Sequence, residues 1–160
     1  MLIPKWIDTD NQLAAARIVE ECYTTGNFEK LLSIITDDYE HHSFWVLEPM
    51  RGRETVTPYY IGKGNAIRKA GNKAKSKIVR ISDKPKTVPV EKLIVDGKVV
   101  QNSRVSICAD FGKACVLMEQ EVDGEKIRTL AIPTVNDEGK MTQLLITEPT
   151  LYNLVPLEEA

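Results

Sequence analysis

The sequence predicts an α+β fold in which a curved antiparallel sheet wraps round helices and leaves a pocket between them. Three observations predict it. The opening third is rich in Ala and Leu at helical spacing, and one strand carries Tyr39-Glu40-His41-His42-Ser43-Phe44-Trp45. The rest of the chain alternates with period two between Asp-Gly turns. The 160 residues fit a single domain spanning 1–160, long enough to bury a core without disulfide or metal support.

The first helix starts near Thr9, because Thr9 and Gln12 stand at capping-box spacing and Asp8 and Asp10 put negative charge at the positive end of the helix dipole. Ala15, Ile18, Val19 and Cys22 form its apolar stripe. Gly26 supplies the left-handed conformation that ends it. Asn27 caps a second helix, in which Phe28, Leu31, Leu32 and Ile35 repeat at helical spacing. From Tyr39 to Leu47 aromatic and β-branched residues replace the helix formers, so a strand is expected there, ended by Glu48-Pro49. Met50 to Ile61, with Gly52, Pro58 and Tyr59-Tyr60, reads as a loop with a helical turn. Lys63 to Ala70 then reads as a short third helix stopped by Gly71.

The period then changes to two. Strands are expected at Ile78 to Ser82, Val90 to Val95 and Lys98 to Ala109, the last two joined by Asp96-Gly97. Lys113 to Val122 and Glu125 to Val135 flank Asp123-Gly124, and Asn136-Asp137-Glu138-Gly139 leads into Lys140 to Thr147 as an antiparallel meander. Both faces of the later strands are apolar, with Val116 and Met118 opposed by Cys115 and Leu117, and Leu130 and Ile132 opposed by Ile127 and Ala131. A sheet wet on one side alternates more cleanly, so one face is expected to pack on helices and the other on a second copy in a homodimer.

A net charge of −2 and a hydrophobic fraction of 42% argue against a disordered chain or a polycation built for nucleic acid. The basic run from Lys63 to Lys86 lacks interleaved aromatics and reads as a solvated face. The longest apolar runs are too short to span a membrane, and the first residues lack the features of a secretory signal. Cys22, Cys108 and Cys115 are odd in number and widely spaced, which points to buried thiols in a reducing cytoplasm. No cofactor is expected, and no metal site, since consecutive residues such as Glu40, His41 and His42 diverge along a strand.

The element order resembles that of the nuclear transport factor 2-like superfamily, which includes ketosteroid isomerases and SnoaL-like polyketide cyclases and has a cystatin-like fold. The resemblance rests on Asn27-Phe28-Glu29-Lys30-Leu31-Leu32 before Thr36-Asp37-Asp38-Tyr39, on Gly62-Lys63-Gly64-Asn65-Ala66-Ile67, and on Asn136-Asp137-Glu138-Gly139-Lys140 before the last long strand. It implies helices on the concave side of the sheet and a deep apolar pocket for a small hydrophobic or aromatic molecule. In some members that pocket carries proton-transfer chemistry of the cyclase, dehydratase or isomerase kind; in others it only binds. The isomerases place a carboxylate base late in the first strand, where this chain has Ser43.

Strand parity puts Tyr39, His41, Ser43 and Trp45 on one face, and His41 is the expected acid–base group, since imidazole titrates near neutral pH. Asp38 or Asp37 is the expected orienter of its ring, and Tyr39 with Ser43 the donors to a carbonyl or enol oxygen. The competing reading makes His41 a hydrogen-bonded part of a polar wall. Trp45, Tyr59 and Tyr60 are placed at the pocket mouth or in the core. Glu119 and Arg104 bind a polar ligand if they face inward; facing outward, with Arg128, they are ordinary surface ion pairs. A non-catalytic binding or protein-interaction module is the alternative to an enzyme.

Overall fold

A computed structural model describes residues 9–44, 46–71, 74–82, 86–90, 93–95, 98–100, 103–107 and 112–157. Helix α1, Thr9–Thr25, buries Ala15, Ala16, Val19, Cys22 and Tyr23, which extends the expected stripe by Ala16 and Tyr23. It ends where expected: Gly26 has φ 78° and its N–H donates to the Cys22 carbonyl at 2.8 Å. The Asn27 Oδ1 then accepts the Glu29 N–H at 3.0 Å, capping α2, Glu29–Ile34.

Strand β1, Ile35–Ser43, starts four residues before the expected Tyr39, and it does not run on to Leu47. It folds back at Phe44 into β2, Val46–Arg51, with Ser43 opposite Val46 and His41 opposite Met50. Pro49 therefore lies within a strand and does not end one; β2 is at the sheet edge, where proline's missing donor is tolerated.

The segment read as a loop is the first half of α3, Arg53–Lys69, and Pro58 lies inside this helix. Proline removes a backbone bond there, but Val56, Tyr60 and Gly64, each four residues apart, are buried on one face, and that burial holds the helix. Arg53 at its first position donates to the carbonyl of Leu32 at 2.6 Å and to that of Ile35, and reaches Asp37 Oδ1 at 3.2 Å. It thus satisfies carbonyls left open where α2 gives way to β1.

The remaining strands are β3 (Lys75–Ile81), β4 (Lys86–Val90), β5 (Leu93–Val95), β6 (Lys98–Val100), β7 (Ser103–Ile107), β8 (Ala114–Val122), β9 (Glu125–Val135), β10 (Met141–Thr147) and β11 (Leu154–Pro156). The main sheet is seven-stranded, in the order β11-β3-β8-β9-β10-β1-β2. It curves without closing. The β8-β9-β10 part is the expected meander, and its Asp123-Gly124 turn has positive φ at both residues, 52° and 81°, as a tight two-residue hairpin requires. Two differences stand out. First, β1 pairs with β10 in parallel, so the sheet is mixed. Second, β4 pairs with β7, and β5 with β6, as nested ladders apart from the main sheet; the turn Asp96-Gly97 and Cys108 lie outside the described residues.

One apolar cluster lies between helices and sheet and includes Val19, Phe28, Tyr39, Tyr60, Val116, Met118, Ala131 and Leu144. A second lies on the outer face, formed by Val79, Ile81, Cys115, Leu117, Leu130 and Ile132, with Tyr152 and Leu154 of the C-terminal segment packed against it. That face is thus apolar, as expected, and the chain's own C-terminal segment packs against part of it. The buried amide of Gln12 ties α1 to β8 and β9, its Nε2 donating to the carbonyls of Ala114, at 3.1 Å, and Pro133. Gln12→Leu is expected to cost about 2 kcal/mol in denaturant unfolding, because two buried carbonyls lose their donor.

Candidate functional site

Tyr39, His41 and Ser43 all face the helices, as parity predicts, while Glu40 and His42 face the other side. His42 Nε2 lies 3.3 Å from Glu40 Oε1, and Glu40 in turn accepts from Arg51 at 2.9 Å. Among the described residues no three His, Cys, Asp or Glu side chains converge as metal ligands.

His41 is buried at 3% exposure, and its Nδ1 lies 2.7 Å from the Tyr60 hydroxyl. That hydroxyl lies 2.6 Å from the hydroxyl of Tyr39. The orienter of the imidazole is therefore Tyr60 and not Asp38, which is exposed, nor Asp37, which pairs with Arg53. The reason is geometric: residues 37 and 38 are the exposed pair of β1, whereas α3 lays Tyr60 directly on the ring, 5.4 Å between centroids and edge-on. Tyr60 is fully buried and stands behind His41, not at a pocket mouth. Tyr39 is likewise fully buried against Tyr60 and does not line the cleft.

In front of His41 is a cleft of about 260 Å³. Its floor is the helix-side face of the sheet, where Ser43, Ile146, Thr129, Met118 and Gln120 come from β1, β10, β9 and β8. Its roof is one stripe of α3: Tyr59, Lys63 and Ile67, four residues apart, with Tyr59 5.0 Å from the His41 ring centroid. Tyr23 of α1 and Ala74 complete the wall. The sequence reading missed Lys63, Ile67, Met118, Gln120 and Thr129. The Tyr59-Lys63-Ile67 spacing was the available signal, hidden by reading residues 50–61 as a loop.

Other expected contributors lie elsewhere. Glu119 is on the outer face, 3.6 Å from Lys126 Nζ and 3.9 Å from Arg128 Nε, so it is a partly exposed ion pair and not a pocket residue. Arg104 belongs to β7, which pairs with β4 and is not a neighbour of β8; its side chain, like Trp45, lies outside the described residues. Cys22 and Cys115 are buried, and burial pushes the Cys22 thiol up to about 11, which suits packing better than reactivity.

Burial, then the charges of His42 and Lys63, lower the His41 pKa from 6.5 to about 4. Burial likewise raises Tyr39, Tyr59 and Tyr60 above the ordinary phenol value. The Tyr39–Tyr60–His41 hydrogen-bond chain is therefore neutral at pH 7. It has two proton arrangements: Tyr39 to Tyr60 to Nδ1, which leaves Nε2 carrying a proton, or Nδ1–H to Tyr60 to Tyr39, which leaves Nε2 as an acceptor. Between pH 6.5 and about 4 the unfolded chain binds a proton at this histidine that the folded chain refuses, so stability falls as pH falls through that window. The full loss is ~3 kcal/mol, and His41→Gln should flatten that part of the profile in urea unfolding at pH 7 and 4.5.

No protein-family profile and no curated protein sequence matches this chain. Solved structures do. A steroid delta-isomerase from Pseudomonas aeruginosa is similar with a TM-score of 0.49 and 11% identity over 92% of this chain and 81% of that one. A de novo designed protein with a curved β-sheet gives 0.49 and 14% over 89% of each chain. An uncharacterized bacterial protein with a cystatin-like fold from Silicibacter pomeroyi DSS-3 gives 0.48 and 10% over 83% and 72%. Each likeness is to the course of the backbone. The element order and the helix-covered, unclosed curved sheet described above make this an α+β cone-like fold, as expected from the sequence.

Proposed function

We propose that the cleft binds a small hydrophobic or aromatic molecule bearing a hydroxyl or carbonyl oxygen, which meets Nε2 of His41. The observation that carries this reading is the Tyr39–Tyr60–His41 chain, which fixes the ring and lets Nε2 donate or accept without gaining charge. Apolar surface from Ile67, Met118 and Ile146 holds the rest of the molecule, and Ser43 and Thr129 add hydroxyls. We place this activity in the cytoplasm, where buried thiols stay reduced.

The same chain favours a second reading, proton transfer of the cyclase, dehydratase or isomerase kind, because its two arrangements interconvert by shifting protons along it. Against strong base catalysis stands the lowered His41 pKa. Two-dimensional NMR with a panel of phenols and cyclic ketones tests the binding reading. Shifts centred on Ser43, Tyr59, Thr129 and Ile146 are expected; shifts confined to the outer face would refute it. His41→Gln separates binding from catalysis, since turnover of a positive ketone disappears in the catalytic case while affinity changes only modestly.

A further inference from the structure

We infer that the molecule bound in the cleft is a monoanion, a small hydroxy- or oxo-carboxylate, whose carboxylate is held by Lys63. The inference rests on the proposed binding role of this cleft. Among the described residues lining it, Lys63 is the one formal charge, and no carboxylate lines it. Lys63 has no ion pair or hydrogen bond among the described residues, although the chain is net acidic and Lys30 and Lys126 are each paired with a glutamate. An unpaired cation beside an apolar cleft attracts a carboxylate more strongly than it does in open water, because the walls exclude part of the screening solvent.

Its placement sets the ligand's shape. Tyr59 lies against His41, and Lys63 is one turn further along α3, about 6 Å along the axis. The oxygen that meets His41 and the carboxylate that meets Lys63 are therefore at opposite ends of a body the size of one ring, with Ile67, Met118 and Ile146 against its faces. The positive field of Lys63 already reaches the imidazole, where it helps to disfavour protonation. By linkage, a bound carboxylate offsets that field and raises the His41 pKa, whereas a neutral ligand of the same shape does not.

The test uses the whole chain with 4-hydroxybenzoate and its neutral counterpart 4-hydroxybenzamide, titrated by NMR at pH 7 into the protein and into Lys63→Met. Lys63 is exposed, so the variant is expected to fold. The acid is expected to bind about tenfold more tightly than the amide, with Lys63→Met erasing the difference between the two. The acid alone is expected to raise the His41 titration midpoint. Equal binding of acid and amide, or a preference that survives Lys63→Met, overturns the inference while leaving the cleft as a binding site. If neither compound shifts the cleft residues, while phenols and ketones do, the carboxylate class is wrong; if nothing does, the binding reading itself falls with it.

Discussion

Tyr60→Phe lowers the unfolding free energy by about 3 kcal/mol, the larger of two effects expected from the hydroxyl chain, because one deletion strands two buried groups. The Tyr60 oxygen stands between the Tyr39 hydroxyl at 2.6 Å and His41 Nδ1 at 2.7 Å, and all three side chains are buried. Phenylalanine keeps the ring and its stacking on Phe28 at 5.2 Å, so packing is retained and the loss reports on the polar chain alone. In a chain of this size the melting temperature should fall by about 6–12 °C. Tyr39→Phe removes only the end of the chain and should cost about 1 kcal/mol. The double variant should cost less than the sum, since once Tyr60 lacks its hydroxyl the Tyr39 hydroxyl is a liability. Additive losses, or a Tyr60→Phe protein as stable as the parent, would show that the three groups do not act as one network.

Gly64→Ala is the second large effect. Gly64 is where α3 crosses the α1–α2 junction, and a Cβ there would overlap the carbonyl oxygen of Gly26 and come within 3.3 Å of the Phe28 ring. The obstacle is backbone, held in turn by Arg68, which donates to the same Gly26 carbonyl, so relief requires moving a helix. A loss of about 3 kcal/mol is expected despite alanine's better helix propensity. Gly62→Ala, two residues earlier in the same helix, meets nothing within 4 Å and should instead stabilise the protein by about 0.5–1 kcal/mol. Opposite signs at these two glycines, read by denaturant unfolding, separate close packing from propensity. Equal signs would contradict the crossing.

Local signals carried much of this fold in the sequence. The stripe from Ala15 to Cys22, the Gly26-Asn27 junction and the Asp123-Gly124 hairpin are decided by residues within a turn or two of one another, and each is found where its chemistry predicts. The inward face of His41 was legible for the same reason, since parity along a strand is local. The parallel pairing of β1 with β10 was not, because it joins residues about a hundred positions apart and leaves no periodicity behind. Residues 53–62 misled because Pro58 and Gly62 are poor helix formers, and only the buried Val56-Tyr60-Gly64 stripe, a tertiary effect, overrides them. That one misreading hid the partner of His41. It directed attention to Asp38, adjacent in sequence, when the ring is held by a residue 19 positions away on α3. The side taken by Glu119 stayed open in the sequence, since period two in a strand with two apolar faces does not say which face is which; the outward ion pair with Lys126 and Arg128 is the case found.

His41 as a neutral ring, buried on Tyr60 and turned to the cleft, is open to an NMR pH titration of its imidazole resonances. Assignment needs only His42→Gln, because the chain has two histidines. His41 is expected to stay neutral through pH 5 and to titrate near pH 4. A midpoint near the ordinary 6.5 would mean a solvated ring without its buried partner, and would remove the neutral, two-way hydrogen bond on which the proposed function stands.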